Sequence, residues 1–168
     1  MNASGFKYVY GPVPSRRLGR SLGVDLVPFK TCTYDCIYCN LGHTTNKTTE
    51  RGVYAPVGDI LAEVKAKLST THPPDYISLA GSGEPTLHVQ IGELIEGIKQ
   101  LTHIPVAVIT NGSLLWDPEV QDALMAADLV IPSLDAGDEF VFRYVNRPHW
   151  HITFEKMVNG LVEFRKRF

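Results

Sequence analysis

Apolar positions along this chain fall into two alternating rhythms. Four short runs rich in Val, Ile and Leu, "SLGVDLVPF" (21–29), "YISLAG" (76–81), "VAVITNG" (106–112) and "DLVIPSLD" (128–135), end among Gly, Pro, Ser or Asp. Their length and β-branched content predict buried strands. Between and after them the apolar positions recur every three or four residues: Ile60, Leu61, Val64 and Leu68; Leu87, Ile91, Leu94, Ile95 and Ile98; Val120 and Leu124; then Phe154, Met157, Val158 and Leu161. These stripes predict helices with one face in a core. Asp59 and Asp117 have the right chemistry for helix N-caps, and Pro118 suits a first helical position.

Strand and helix alternate four times, which predicts an α/β fold of parallel strands joined by right-handed crossovers. In such sheets ligands gather at the carboxyl ends of the strands. The segments there are "PFKTCTYDCIYCN", "AGSGEPT", "TNGS" and "SLDAGD". The stretch between the first two strands is longer than an ordinary connection and predicts a functional insertion. Without a repeat, low-complexity tract or linker, residues 1–168 are expected to form one domain.

Composition narrows the class. Of 168 residues, 44% are hydrophobic and 20% charged, which excludes disordered and fibrous chains. The net charge of −2 gives no overall basic field, so nucleic acid would need a local patch. No apolar run approaches the roughly 20 residues that span a bilayer, and "MNASGFKYVYGPVPSRR" lacks a secretory pattern. A cytoplasmic location without membrane partners is expected. In that reducing compartment, three clustered cysteines argue for metal binding or catalysis over disulfides.

Those cysteines are Cys32, Cys36 and Cys39. With His43 they could form a closed Cys3His zinc site. Three thiolates could instead hold a four-iron cluster with one iron left open. A reactive nucleophile would need one thiol and a base. Tyr34, Ile37 and Tyr38 surround the thiols with apolar bulk, and no second Cys-x-x-Cys pair is present. In "GSGEPTL" (81–87), Gly81 and Gly83 permit close backbone approach, and Glu84 offers a carboxylate to an ammonium. Thr86 stands where a dinucleotide motif needs its last glycine, and Ala80 and Glu84 flank Ser82 where a nucleophile elbow needs glycines. Arg16, Arg17, Arg20 and Arg147 could hold carboxylate or phosphate, and His149 and His151 could be ligands or bases.

Cys32-x-x-x-Cys36-x-x-Cys39, with Tyr38 before the last cysteine and a strand before the first, resembles the cluster motif of the radical S-adenosylmethionine (SAM) enzymes. The resemblance implies a partial TIM-like βα barrel, a 4Fe-4S cluster on the three cysteines, and SAM on its open iron. It further implies reductive cleavage of SAM to a 5'-deoxyadenosyl radical for an unidentified substrate, with a flavodoxin- or ferredoxin-like electron donor. Tyr38 would pack by the adenine, and Glu84, within Gly81-Ser82-Gly83-Glu84, would engage the amino group. Asn111, Ser133 and Asp135 would line the cofactor cleft. The strings "GPVPSRRLGRSLGVDLVP" and "NRPH" are similar to the Fe-S oxidoreductase branch related to wybutosine-synthesising enzymes. About four βα units of the family's usual six are expected here, which implies self-association or a partner that completes the sheet. Two rivals stand beside this reading: a non-catalytic cluster-binding module needing a partner, and a zinc-stabilised binding domain.

Overall fold

A computed structural model describes residues 5–168. In chain order its elements are β1 (Val9–Ser15), β2 (Gly19–Val24), β3 (Thr31–Cys32), β4 (Asn46–Lys47), α1 (Val57–Thr70), β5 (Tyr76–Leu79), a 3-10 turn (Pro85–Leu87), α2 (Ile91–Leu101), β6 (Val106–Thr110), α3 (Pro118–Leu124), β7 (Leu129–Pro132), α4 (Glu139–Asn146) and α5 (Phe154–Arg167). The main sheet runs β1-β2-β5-β6-β7. β2, β5, β6 and β7 are mutually parallel, and β1 lies antiparallel on β2. The parallel strands follow one another without reversal, as in an arc of a βα barrel, and the barrel is not closed.

The core lies between this sheet and its helices. Leu22, Val24, Ile77, Leu79, Val106 and Val108 meet Ile60 and Val64 of α1, Leu94 and Ile98 of α2, and Val120 and Leu124 of α3. The predicted stripes are therefore core faces. Asp117 caps α3, accepting a hydrogen bond from the Glu119 N–H, and Pro118 opens the helix.

Several expectations need correction. Asp59 lies in the first turn of α1, whose N-cap is Pro56, so it contributes charge at the helix start and not a cap. Leu87 belongs to the 3-10 turn and not to α2. The first strand ends at Val24, because the next N–H, that of Asp25, turns to the Tyr8 carbonyl.

Besides the two-residue strands β3 and β4, two longer elements escaped the pattern. β1, "VYGPVPS", carries Gly11, Pro12 and Pro14, which read as turns. An edge strand tolerates them because one row of its N–H groups needs no partner, and its register is irregular between Tyr10 and Val13. In α4, Phe142 is buried and Val141 and Val145 are half-buried on one face, but Phe140 and Tyr144 face outward, so the outward aromatics blur a short apolar stripe. Its N-cap, Asp138, accepts from the Val141 N–H at 2.8 Å.

The long insertion after β2 holds the cysteines. Thr31 and Cys32 pair in parallel with Asn46 and Lys47. Cys32 thus leaves a two-residue strand beyond the carboxyl end of β2, where the sheet directs its loops.

Candidate functional site

The thiol loop is held from three sides. The Asp35 and Ile37 N–H groups donate to the carbonyls of Asn146 and Val145 at the end of α4, at 3.0 and 2.9 Å. The His149 N–H donates to the Thr33 carbonyl at 2.8 Å. The Lys30 N–H donates to the Ser82 carbonyl, and the Glu84 N–H to the Thr31 carbonyl. The second predicted loop and the end of α4 are therefore tied to the first loop by backbone bonds. Tyr34 fills the space beneath, edge-on to Phe142 with centroids 5.4 Å apart. Ile152 and Met157 complete this small core, against which Cys32 and Cys36 pack.

Each sulfur has its own N–H donor. Asn111 Nδ2 lies 3.6 Å from Cys32 Sγ, Asn146 Nδ2 lies 3.5 Å from Cys36 Sγ, and Lys30 Nζ lies 3.1 Å from Cys39 Sγ. Burial pushes the Cys32 thiol up to about 11, with the Glu84 charge as a second cause. Burial also raises Cys36, opposed by the hydrogen bonds of Asn146 and Tyr38.

Among the described residues, no three Cys, His, Asp or Glu side chains converge where a single metal ion could sit. His43 has its side chain 85% exposed, and its Nδ1 lies 3.4 Å from Asp35 Oδ2. A hollow of about 290 Å³ opens beside the thiols, lined by Cys36, Cys39, His43 and Arg147.

Glu84 is enclosed. At 1% exposure its Oε1 accepts from the Thr86 N–H (3.1 Å) and from the Thr86 and Thr110 hydroxyls (both 2.6 Å), while Oε2 accepts from the Asn111 N–H at 2.7 Å. The carboxylate clasps the loop after β5 to the end of β6. The glycines around it answer to the same packing. A side chain on Gly83 would stand 1.8 Å from the Thr31 carbonyl oxygen, and one on Gly81 would stand 2.3 Å from Asp25 Cγ. Ser82 donates through its N–H and its hydroxyl to Asp25 Oδ2.

On the far side, Asp135 Oδ2 accepts from the Tyr38 hydroxyl and from Asn146 Nδ2, the latter at 2.9 Å. Burial, and then this bond to Asp135, holds the Tyr38 phenol well above its usual range. Asn111 Nδ2 also donates to Thr33 Oγ1 at 2.7 Å, and the Ser133 N–H donates to the Thr110 carbonyl at 3.0 Å.

A sequence model described as "Radical SAM superfamily" matches residues 26–168. The chain belongs to the radical SAM superfamily. It is 53% identical over 162 residues to a protein of Brachyspira hyodysenteriae named GTPase Obg, covering 96% of this chain and 24% of that protein. It is 39% identical over 161 residues to a UPF0026 protein of Methanocaldococcus jannaschii, covering 95% of this chain and 50% of that one. A Saccharolobus islandicus protein named probable GTP 3',8-cyclase is 26% identical over 146 residues, 86% of this chain and 44% of its own length. This chain thus spans about half or less of each. It contains no Gly-x-x-x-x-Gly-Lys-Ser/Thr segment that would cradle a nucleotide phosphate.

Within the radical SAM frame, the sequence residues separate into two groups. Cys32, Cys36, Cys39, Tyr38, Glu84, Asn111 and Asp135 are linked by the bonds above. Arg16 and Arg17 sit in the β1–β2 turn, and Arg20 near the start of β2 approaches His72 at 3.3 Å. Parallel strands point their carboxyl ends the other way, so these arginines lie at the opposite end of the sheet from the thiols. Arg147 does reach the thiol loop, at 3.9 Å from Asp35 Oδ2. His149 and His151 pack at tilted angles against Trp150.

Sequence reasoning missed Lys30 and Asn146 as site residues. Asn146 opens the "NRPH" string, and its burial follows from its place in the last turn of α4. Lys30 adopts a left-handed φ of 58°, which turns a lysine inward where pattern alone predicts a solvated one.

Proposed function

We propose that this chain holds a 4Fe-4S cluster on Cys32, Cys36 and Cys39, binds SAM beside it, and serves a reductive radical reaction on a substrate still to be identified. The supporting observation is the convergence at the carboxyl ends of β2, β5, β6 and β7 of a three-thiol loop with Gly81–Glu84, Asn111 and Asp135. Thiolates that ligate different irons of a cluster need not meet at one point, so the spread of the three sulfurs fits a cluster better than a mononuclear Cys3His site.

When bound, the cluster supplies the electron that cleaves the SAM sulfonium, and the protein binds, orients and excludes water. Tyr34, Phe142, Ile152 and Met157 keep the Cys32 and Cys36 side dry. Glu84 has every oxygen engaged by protein donors, so its part in holding SAM is indirect: it fixes the Gly81–Gly83 loop against the thiol loop and presents the Asn111 side chain. Tyr38, pinned by Asp135, borders the cofactor cleft, with Ser133 following on the same strand end. The electron comes from a flavodoxin- or ferredoxin-like donor.

A second reading, a cluster-binding module that needs a partner to complete its active site, has its own support. β7 is an edge strand, and Ile109 and Ile131, paired across β6 and β7, lie on the face opposite the core side chains Val108 and Val130. Ile109 is 37% exposed there. Exposed apolar residues beside an unpaired edge invite another strand or chain.

Anaerobic reconstitution with iron and sulfide, followed by low-temperature EPR of the reduced protein with and without SAM, tests the proposal. A four-iron signal that changes on adding SAM is expected. Stoichiometric zinc uptake lost in His43→Ala, with no cluster formed, would sink it.

A further inference from the structure

Lys30 is 3% exposed, and its one hydrogen-bonded side-chain partner among the described residues is Cys39 Sγ at 3.1 Å. A lysine ammonium withdrawn from water is costly unless a negative charge or strong acceptors compensate. A neutral thiol is a weak acceptor and compensates poorly. The backbone leaves the side chain no easy way out: Lys30 sits at a left-handed φ of 58°, its N–H bonded to the Ser82 carbonyl and its carbonyl bonded to the Asn46 N–H. The main chain is clamped on both sides, and the cation is delivered to the third sulfur of the triad.

The other two sulfurs are served in the same way from separate elements, Cys32 by Asn111 after β6 and Cys36 by Asn146 at the end of α4. Three thiols, three N–H donors, and three different parts of the fold make an ordered outer shell. Only one of those donors carries charge.

We propose that Lys30 is a positioning and charge-compensating residue for the iron-sulfur group, tuning its reduction potential through an N–H···S bond at Cys39, with Asn111 and Asn146 as its neutral counterparts. This rests on the cluster reading above. A 4Fe-4S core with a 2+ charge on three thiolates carries a net charge of −1, which becomes −2 when one electron arrives from an external reductant. A fixed cation at one sulfur favours the second state over the first. Hydrogen bonds to sulfur and local charge are the levers by which a protein sets such potentials. Lys30 therefore raises the potential and makes the reduced form accessible to a donor of ordinary strength.

The test is an EPR-monitored redox titration of the anaerobically reconstituted chain, comparing wild type with Lys30→Met and Lys30→Gln. Both variants keep the backbone conformation and a side chain of similar length. Lys30→Met is expected to lower the reduced-to-oxidised ratio at fixed potential at least tenfold, a shift of about 59 mV for one electron. Lys30→Gln, which keeps an N–H without the charge, should fall between. Iron and sulfide content are measured in each, with far-UV circular dichroism as the folding control. Equal potentials at equal iron content overturn the role of Lys30 and leave the cluster reading standing. Folded Lys30→Met and Lys30→Gln that take up no iron overturn it too, because Lys30 would then govern assembly. A wild-type chain that takes up no iron fails the cluster reading itself.

Discussion

The Thr110 hydroxyl donates to the Glu84 carboxylate over 2.6 Å, joining the last residue of β6 to the loop after β5. Thr86 and the Asn111 N–H bond to the same buried carboxylate. Glu84→Ala therefore strands several buried donors, each costing on the order of 1–3 kcal/mol when left unmatched. The expected loss is about 3 kcal/mol in urea unfolding, far beyond an ordinary surface substitution. Thr110→Val removes one of those donors and also the oxygen that accepts the Gly112 N–H at 3.0 Å, so it should cost about 2 kcal/mol. If Glu84→Ala is as stable as wild type, the clasp has no energetic role.

Burial raises the Glu84 carboxyl above its ordinary 4.5, opposed by the bonds from Thr110 and Thr86. A carboxyl with a raised folded pKa binds more protons in the native than in the unfolded state, so its contribution falls as pH rises from 4.5 toward the raised value. Glu84→Gln mimics the protonated form and does not titrate. Wild-type stability measured relative to Glu84→Gln should accordingly decline as pH increases through that window. Urea midpoints of both proteins across it check the sign, and a relative rise would contradict the burial cause.

Tyr34 has a hydroxyl that is buried without a hydrogen-bond partner among the described residues, while its ring packs on Phe142. An unmatched buried hydroxyl costs about 1–3 kcal/mol, whereas the ring contact survives its removal. Tyr34→Phe is thus expected to stabilise the cluster-free protein by about 1 kcal/mol, read as a higher unfolding temperature. A loss of stability would mean that the hydroxyl finds a partner in solution.

The site was legible in sequence to the extent that chemistry was local. Cys32, Cys36 and Cys39 lie within eight residues of one another, and the loops of Glu84, Asn111 and Asp135 follow strands whose apolar runs identify them. Long-range geometry was not legible. Glu84 reads as a free acceptor until the fold surrounds it with Thr86, Thr110 and Asn111. Asn146 reads as a helix-end polar residue until α4 delivers it to Cys36, a contact between positions 110 residues apart. Arg16, Arg17 and Arg20 show the reverse: a motif can be real while its charges serve the other end of the sheet. β1 and α4 were hidden for local reasons, prolines in an edge strand and outward aromatics on a helix.

The Cys32 thiol, pushed up to about 11 by burial and then by the Glu84 charge, should react slowly with iodoacetamide near neutral pH. The thiolate is the nucleophile, so the labelling rate of Cys32 should climb with pH toward that value, while urea-unfolded protein follows the ordinary thiol value of 9.0. Because the raised pKa favours the protonated thiol in the folded state, Cys32 adds stability that is lost as pH rises from 9.0 toward about 11. Peptide mass spectrometry of labelled Cys32 across this range measures the inflection directly. Glu84→Gln, which removes the second cause and leaves the first, should move the inflection down without bringing it to 9.0. An inflection at or below 9.0 in the folded wild-type protein would show that the thiol loop is open to water. Metal loading must overcome the same protonation, since ligand thiols bind as thiolates, and so the cysteines should release protons as iron enters. Cluster assembly at constant iron and sulfide should therefore proceed further at pH 8.5 than at pH about 7, a dependence that follows from Cys32 and Cys36 together.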